Sequence, residues 1–177
     1  INVMGAITVD DMEADDMVSI LLFEDYMKHG GDPDKCEVIL SSPDKDLNNT
    51  PGWHYHPTRG GLSWVTEAQA HRHFCFQLLC GDRVDNIPGL PYCGEITRKK
   101  YALSNVSARG CADGTAKKIM SALDKDKDPL PAIYEAYAEW AQREQQDYTY
   151  YEDYVNEQGQ FLWMLRELDD FNEPVTW

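Results

Sequence analysis

The segment Gly81-Asp82-Arg83-Val84-Asp85-Asn86-Ile87-Pro88-Gly89 sets two carboxylates three residues apart, directly after the apolar Leu78-Leu79 and ahead of a Pro-Gly turn. A turn of this composition can hold Asp side chains at the rim of a core. Two more acidic groups stand upstream: Glu13, Asp15 and Asp16, then Asp44 and Asp46. Each alone has an ordinary structural use. Asp15 and Asp16 in a first helical turn complement the helix dipole, Asp44 and Asp46 solvate a turn, and Gly-Asp and Pro-Gly are common chain punctuation. Seven carboxylates brought together would repel strongly unless cations neutralised them, and hard, oxygen-seeking Mg²⁺ or Mn²⁺ suits such a set. Two such ions about 3.5 to 4 Å apart are the usual device for in-line displacement at phosphate, one activating water and the other steadying the leaving oxygen.

The elements that must position these groups read as α/β. Ala6 to Val9 is a short β-branched run. A helix follows from about Met12 to His29, with Met17, Ile20, Leu21 and Leu22 on a helical face and Gly30-Gly31 at its end. Glu37 to Ser42 reads as a strand whose consecutive Val38, Ile39 and Leu40 suit a buried parallel position, ending at Pro43-Asp44. Trp53 to His56 and Leu62 to Val65 form a hairpin. Thr66 with Glu67 and Gln69 opens a helix to Cys80. The segment from Arg98 through Gly110 reads as irregular, and helices are expected from Gly114 to Met120, Leu130 to about Gln146, and Tyr151 to Leu168. The three acidic groups then fall at ends of core elements, where α/β sheets carry their sites.

With 177 residues, 42% hydrophobic and 11% aromatic, the chain can bury a sizeable core. No apolar run approaches a membrane span and no signal pattern opens the chain, so a cytoplasmic protein is expected. Cys36, Cys75, Cys80, Cys93 and Cys111 include no C-x-x-C pair and read as reduced. The formal charge of -15 argues against nucleic-acid binding, but it is unevenly spread: residues 1–81 carry -8, residues 82–120 carry +3 and residues 121–177 carry -10. A basic middle between acidic flanks can present a local positive face; a randomly uneven surface is the bland alternative.

The series Glu13-Ala14-Asp15-Asp16, then Val38 to Leu47 with Asp44-Lys45-Asp46, then Gly81 to Gly89 resembles the 5′ nuclease family: flap endonucleases, bacteriophage 5′ to 3′ exonucleases and the 5′ nuclease domain of bacterial DNA polymerase I. The resemblance covers roughly residues 5–120. It implies a PIN-like parallel sheet with flanking helices (1–86, the C-terminal part of the nuclease core), a helix-hairpin-helix-type DNA-binding element (87–120) and an acidic helical region (121–177). It also implies a two-metal 5′-3′ exodeoxyribonuclease or flap endonuclease acting on DNA with 5′ ends or flaps. Carried over by motif, Glu13, Asp15, Asp16, Asp44, Asp46, Asp82 and Asp85 are the metal ligands. Asp44, Asp46, Asp82 and Asp85 are the catalytic set, with Asp44 nearest the attacking side. Lys45 reads as a solvated turn residue.

In that family a bound potassium ion helps the helix-hairpin-helix element grip duplex phosphates through backbone amides. Here Gly110 to Ile119 resembles its second part, normally G-I-G-x-K-T-A, with Ala112 and Gly114 departing from it and Tyr92 to Arg109 inserted between the halves. Arg83, Arg98, Lys99, Lys100, Gly114, Thr115, Lys117 and Lys118 are the candidate DNA contacts. The family's first strand, with its Asp, and its helical arch do not precede Ile1. They are expected to have been removed, to lie outside this sequence or to come from a separate chain, leaving this piece weakly active or inactive alone. The competing reading is a catalytically inactive DNA-binding or scaffold remnant, against which the retention of seven acids counts.

Other motifs have simpler readings. Asp124 to Glu135 imitates a calcium-binding loop, but Pro129 stands where Gly is needed. His71 and Cys75 share a helical face and could bind zinc, yet no further pair stands at ligand spacing, and packing is the better reading. Trp53, His54 and His56 belong to the hairpin. Tyr134, Tyr137, Trp140, Tyr148, Tyr150, Tyr151 and Tyr154 could stack on bases, but the local charge of -10 favours a core or protein-facing role.

Overall fold

The computed structural model describes residues 12–105, 110–144 and 150–167. The chain divides into two compact units, residues 1–70 with 164–177, and residues 71–163. The strand expected over Ala6 to Val9 and the position of Tyr148 lie outside the described residues.

In the first unit, α1 (Ala14–Lys28) precedes a three-stranded sheet of β1 (Ile39–Ser41), β2 (Gly52–Tyr55) and β3 (Leu62–Val65) in that order. β1 runs parallel to β2, with Leu40 opposite His54, and β3 runs antiparallel to β2, with Trp53 opposite Trp64. The class is α/β, but the sheet is mixed, a correction to the parallel sheet expected. The strand at residues 37–42 is also shorter and less buried than its composition suggests. Leu40 is buried while Ile39 is half exposed, because β1 lies at an edge of the sheet formed by the described residues and packs one face only.

Leu22 of α1, Leu40 of β1 and Leu47 form the buried cluster, with Met164 against it. Gly52, at φ 135°, lets β2 approach α1 where a Cβ would collide with Leu22. The α1 terminus is tied down by Asp25. Its Oδ2 accepts the backbone N–H groups of Glu37 (2.8 Å) and Val38 (3.0 Å), and its Oδ1 lies 3.1 Å from His29 Nδ1. Burial, the largest influence, pushes the Asp25 carboxyl up, but those N–H groups and the neighbouring His29 and Lys28 outweigh it and hold it below the usual range. Residues after Met164 return to this unit: the buried Arg166 pairs with Glu67 (2.6 Å), donates to Asn49 O (2.9 Å) and lies 5.0 Å over Phe23.

The helix α2 (Glu67–Cys80) starts in the first unit with the expected cap: Thr66 Oγ1 accepts from Gln69 N–H, and Gln69 Oε1 accepts from Thr66 N–H. The second unit continues with α3 (Glu95–Lys100), α4 (Asp113–Ala122), α5 (Leu130–Arg143) and α6 (Tyr150–Leu162). Its core takes Phe74, Leu78 and Leu79 from α2, Leu90, Ile119 from α4, Ile133 and Tyr137 from α5, and Val155 from α6. Tyr137 is fully buried and donates its hydroxyl to Leu78 O at 2.6 Å. Tyr137, Trp140 and Tyr151 are core residues, as their local charge suggested.

Candidate active site

The acidic residues of α1 stand where the helix dipole favours negative charge. Glu13 is the N-cap residue, with extended backbone and no side-chain capping bond; Asp15 and Asp16 lie in the first turn. Glu13 and Asp15 are exposed. Asp16 is half-buried, and its Oδ1 accepts the backbone N–H of Leu165 at 3.1 Å. Burial is the largest influence on its carboxyl and raises its pKa. The Leu165 N–H pulls the other way and the charge of Asp15 adds to the rise, leaving it above the usual carboxylate value.

Asp44 and Asp46 are brought together by the backbone. Asp44 Oδ1 accepts the N–H of Asp46 at 2.9 Å and Ser42 Oγ accepts that of Asp44 at 3.1 Å, so the pair forms an Asx turn leading into a 3₁₀ turn at Asp46–Asn49. Lys45 is exposed, 4.0 Å from Asp46. Among the described residues of this unit, Glu13, Asp15, Asp16, Asp44 and Asp46 form no group of three ligand atoms within 4.8 Å; Asp25, His29 and Cys36 do.

In the second unit the segment Gly81 to Gly89 is a closed loop. Asp82 and Ile87 exchange both backbone hydrogen bonds (2.9 and 2.7 Å), and Asp82 Oδ1 accepts the N–H of Val84 at 2.7 Å and of Asp85 at 3.4 Å. Asn86 takes φ 60°, which Asn tolerates. Gly81 and Gly89 sit back to back at positive φ. A Cβ on Gly81 would enter the Ile87 carbonyl, and one on Gly89 would enter the Gly81 amide. Asp82 is buried, whereas Asp85 and Arg83 are exposed. Both Asp residues therefore belong to one small turn, in which the first shapes the backbone and the second faces solvent.

Leu90 N–H donates to Leu79 O (3.0 Å), and Cys111 N–H donates to Leu90 O (2.9 Å), so Leu90 ties the end of α2 to the approach to α4. A cavity of about 520 Å³ results, walled by Asp82, Arg83 and Pro88 on one side and Gly110, Cys111 and Ala112 at the start of α4 on the other. Ala112 is the N-cap of α4 and makes no side-chain capping bond, while Asp113 puts an acid into the first turn. Gly114 has open space where a Cβ would stand, so the turn does not require a glycine there. Lys117 and Lys118 are exposed and Thr115 half-buried.

Arg98, Lys99 and Lys100, expected to be irregular, are the last residues of the helix α3. Glu139 of α5 accepts the N–H groups of Ile96 (2.8 Å) and Thr97 (2.9 Å) and the Thr97 hydroxyl (2.6 Å), capping α3 from another helix. Arg98 forks onto Glu95 and Lys100 pairs with Glu135, while Lys99 is exposed. The acidic tail thus takes up part of the basic charge that the sequence reading assigned to a phosphate track.

His71 and Cys75, one turn apart on α2, meet Asp128 of the loop before α5: His71 Nε2 lies 2.9 Å from Asp128 Oδ1 and 3.6 Å from Cys75 Sγ. The third member stands 53 residues beyond Cys75 in the sequence, where ligand spacing gives no signal. None of the five cysteines is disulfide-bonded. No helix among the described residues is long and apolar enough to cross a membrane. The chain matches no family model, no curated protein and no solved structure.

Proposed function

We propose that this chain carries the metal-binding and DNA-gripping portion of a divalent-metal-dependent 5′ nuclease, PIN-like in its core, which hydrolyses DNA phosphodiesters at or near 5′ ends or flaps. The observation that carries the reading is the second unit's closed turn. It sets Asp82 and Arg83 on a cavity that opens at the N-terminus of a helix, with the exposed Asp85 in the same turn, so groups that attract a cation adjoin groups that attract a phosphate. The donor set fits Mg²⁺ or Mn²⁺, being carboxylate throughout. Glu13, Asp15, Asp16, Asp44 and Asp46 are proposed as ligands within the first unit, and Asp82 and Asp85 within the second. The raised carboxyl of Asp16 is a charge that a cation would relieve. When bound, two ions would supply an activated water and charge stabilisation at the leaving oxygen.

The protein's own part is positioning. The Asx turns fix the Asp44 and Asp82 carboxylates against backbone N–H groups, and Arg83, Lys117 and Lys118 offer cationic contacts to the phosphate backbone. The helix-hairpin-helix-type grip, with potassium, belongs to the same proposal through the junction of Leu90 and Cys111. The test is cleavage of a 5′-labelled flap duplex by the chain in Mg²⁺. Asp44→Asn and Asp85→Asn, both at exposed positions, are expected to lower cleavage on the order of 100-fold or more while flap-duplex affinity stays nearly unchanged. Parental cleavage by either variant overturns the ligand assignment. Tight binding without cleavage by every form in excess Mn²⁺ identifies a non-catalytic remnant instead.

A further inference from the structure

We propose that His71, Cys75 and Asp128 form a zinc site, separate from the carboxylate set, that fastens the loop before α5 to α2. The three donors come from two elements, and their ligand atoms lie within 4.8 Å of one another. His71 and Cys75 stand at i and i+4 on one helical face. Asp128 is brought to them by two independent restraints: Arg72 donates to Met120 O (2.8 Å) and Asp124 O (3.1 Å), and Asp128 Oδ1 accepts the N–H of Leu130 at 3.0 Å. The site is therefore arranged by bonds that do not depend on a metal.

A single atom, His71 Nε2, faces both the thiol and the carboxylate. That nitrogen has either one N–H or one lone pair. If it donates to Asp128, the Cys75 sulfur is left only a weak, shared acceptor role at 3.6 Å. A cation among the three would use all of them fully, since a thiolate, a neutral imidazole nitrogen and a carboxylate can all ligate it. Mixed S, N and O donors select zinc over Mg²⁺. Tetrahedral zinc with ordinary bond lengths places S and N about 3.5 Å apart and N and O about 3.4 Å apart. The first matches the 3.6 Å found; the second needs the 2.9 Å pair to open by about half an ångström. Asp128, more than half exposed, has room to do so, and Cys75 closes the inner side completely. Water takes the fourth position. On binding, the Cys75 sulfur gives its proton to solvent and forms the S–Zn bond with the same electron pair, with no change of oxidation state.

The experiment is titration of the dialysed full chain with Co²⁺ as a spectroscopic stand-in, followed by displacement with Zn²⁺. One equivalent is expected to give a thiolate-to-cobalt charge-transfer band that zinc abolishes and excess Mg²⁺ does not. Cys75→Ser should remove the band. Asp128→Asn, at an exposed position that leaves the buried thiol in place, should weaken affinity at least about tenfold, and Cys36→Ser should leave it unchanged. Circular dichroism of the metal-free Cys75→Ser variant checks that it is folded. Absence of the band from the parent chain, its persistence in Cys75→Ser, parental affinity in Asp128→Asn, or its loss in Cys36→Ser overturns the assignment.

Discussion

The turns at Pro43–Asn49 and Gly81–Gly89 each present two Asp residues, yet they are built on different principles. In the first, Asp44 and Lys45 are exposed, and one short Asx bond at 2.9 Å joins the pair. Many polar sequences would make that turn equally well, so the fold does not dictate its acids. In the second, backbone meets backbone at two glycines, Asp82 is buried and one oxygen of its carboxylate, Oδ1, shapes the loop. Acid at Asp82 therefore has a structural explanation as well as a chemical one. Acid at Asp44 and Asp85 lacks the first, which makes those residues the sharper probes of function.

The largest test of this contrast is Gly89→Ala. It forces a Cβ into the Gly81 amide at φ 65° and should cost about 3 kcal/mol or more, read as a fall in the denaturant midpoint. Gly114→Ala, in open space within α4, should instead stabilise slightly. Next, Asp82→Ala removes charge-assisted bonds to two backbone N–H groups and should cost roughly 1.5 to 3 kcal/mol. Asp44→Ala should stay within about 0.5 kcal/mol. Equal losses in the two would show that both turns are structural.

Smaller still, Glu139→Ala leaves the α3 N-terminus without its acceptor. Hydrogen exchange at Ile96 and Thr97 should accelerate while the Gly81–Gly89 loop keeps its protection. The smallest effect concerns Asp16. Its folded pKa lies above the unfolded value, so ionisation weighs against the fold at neutral pH, and that penalty disappears as pH falls below the unfolded value. Metal-free Asp16→Asn should thus be slightly more stable than the parent at pH 7 and lose that advantage in acid, measured by thermal melts in chelator. Asp25 has the opposite sign, contributing stability that is lost as pH falls through its depressed folded pKa.

What could be read along the chain was whatever a few neighbouring residues decide. The Thr66–Gln69 cap, the hairpin at 52–65 and the stop at Gly30-Gly31 are local and stand as expected. The rest depended on distant partners. Residues 95–100 lack a strong helical signal of their own, and Glu139 supplies the cap from 42 positions beyond Thr97. Lys100 looked like a phosphate ligand until Glu135 was placed beside it. The α/β class was legible, and so was the hairpin that brings an antiparallel pair into the sheet; the exposure of Ile39 was not, because Val38-Ile39-Leu40 carries no mark of how many faces will be covered. Glu13, Asp15 and Asp16 stand at the start of α1 and the other four acids in local turns, while the Asp128 partner of His71 and Cys75 had no counterpart in spacing.

Leu90 is a shared tie: its N–H donates to Leu79 O at the end of α2, and its O accepts the Cys111 N–H on the approach to α4. A shift at Leu90 would therefore move both helix ends together, while α3 stays held to α5 by Glu139.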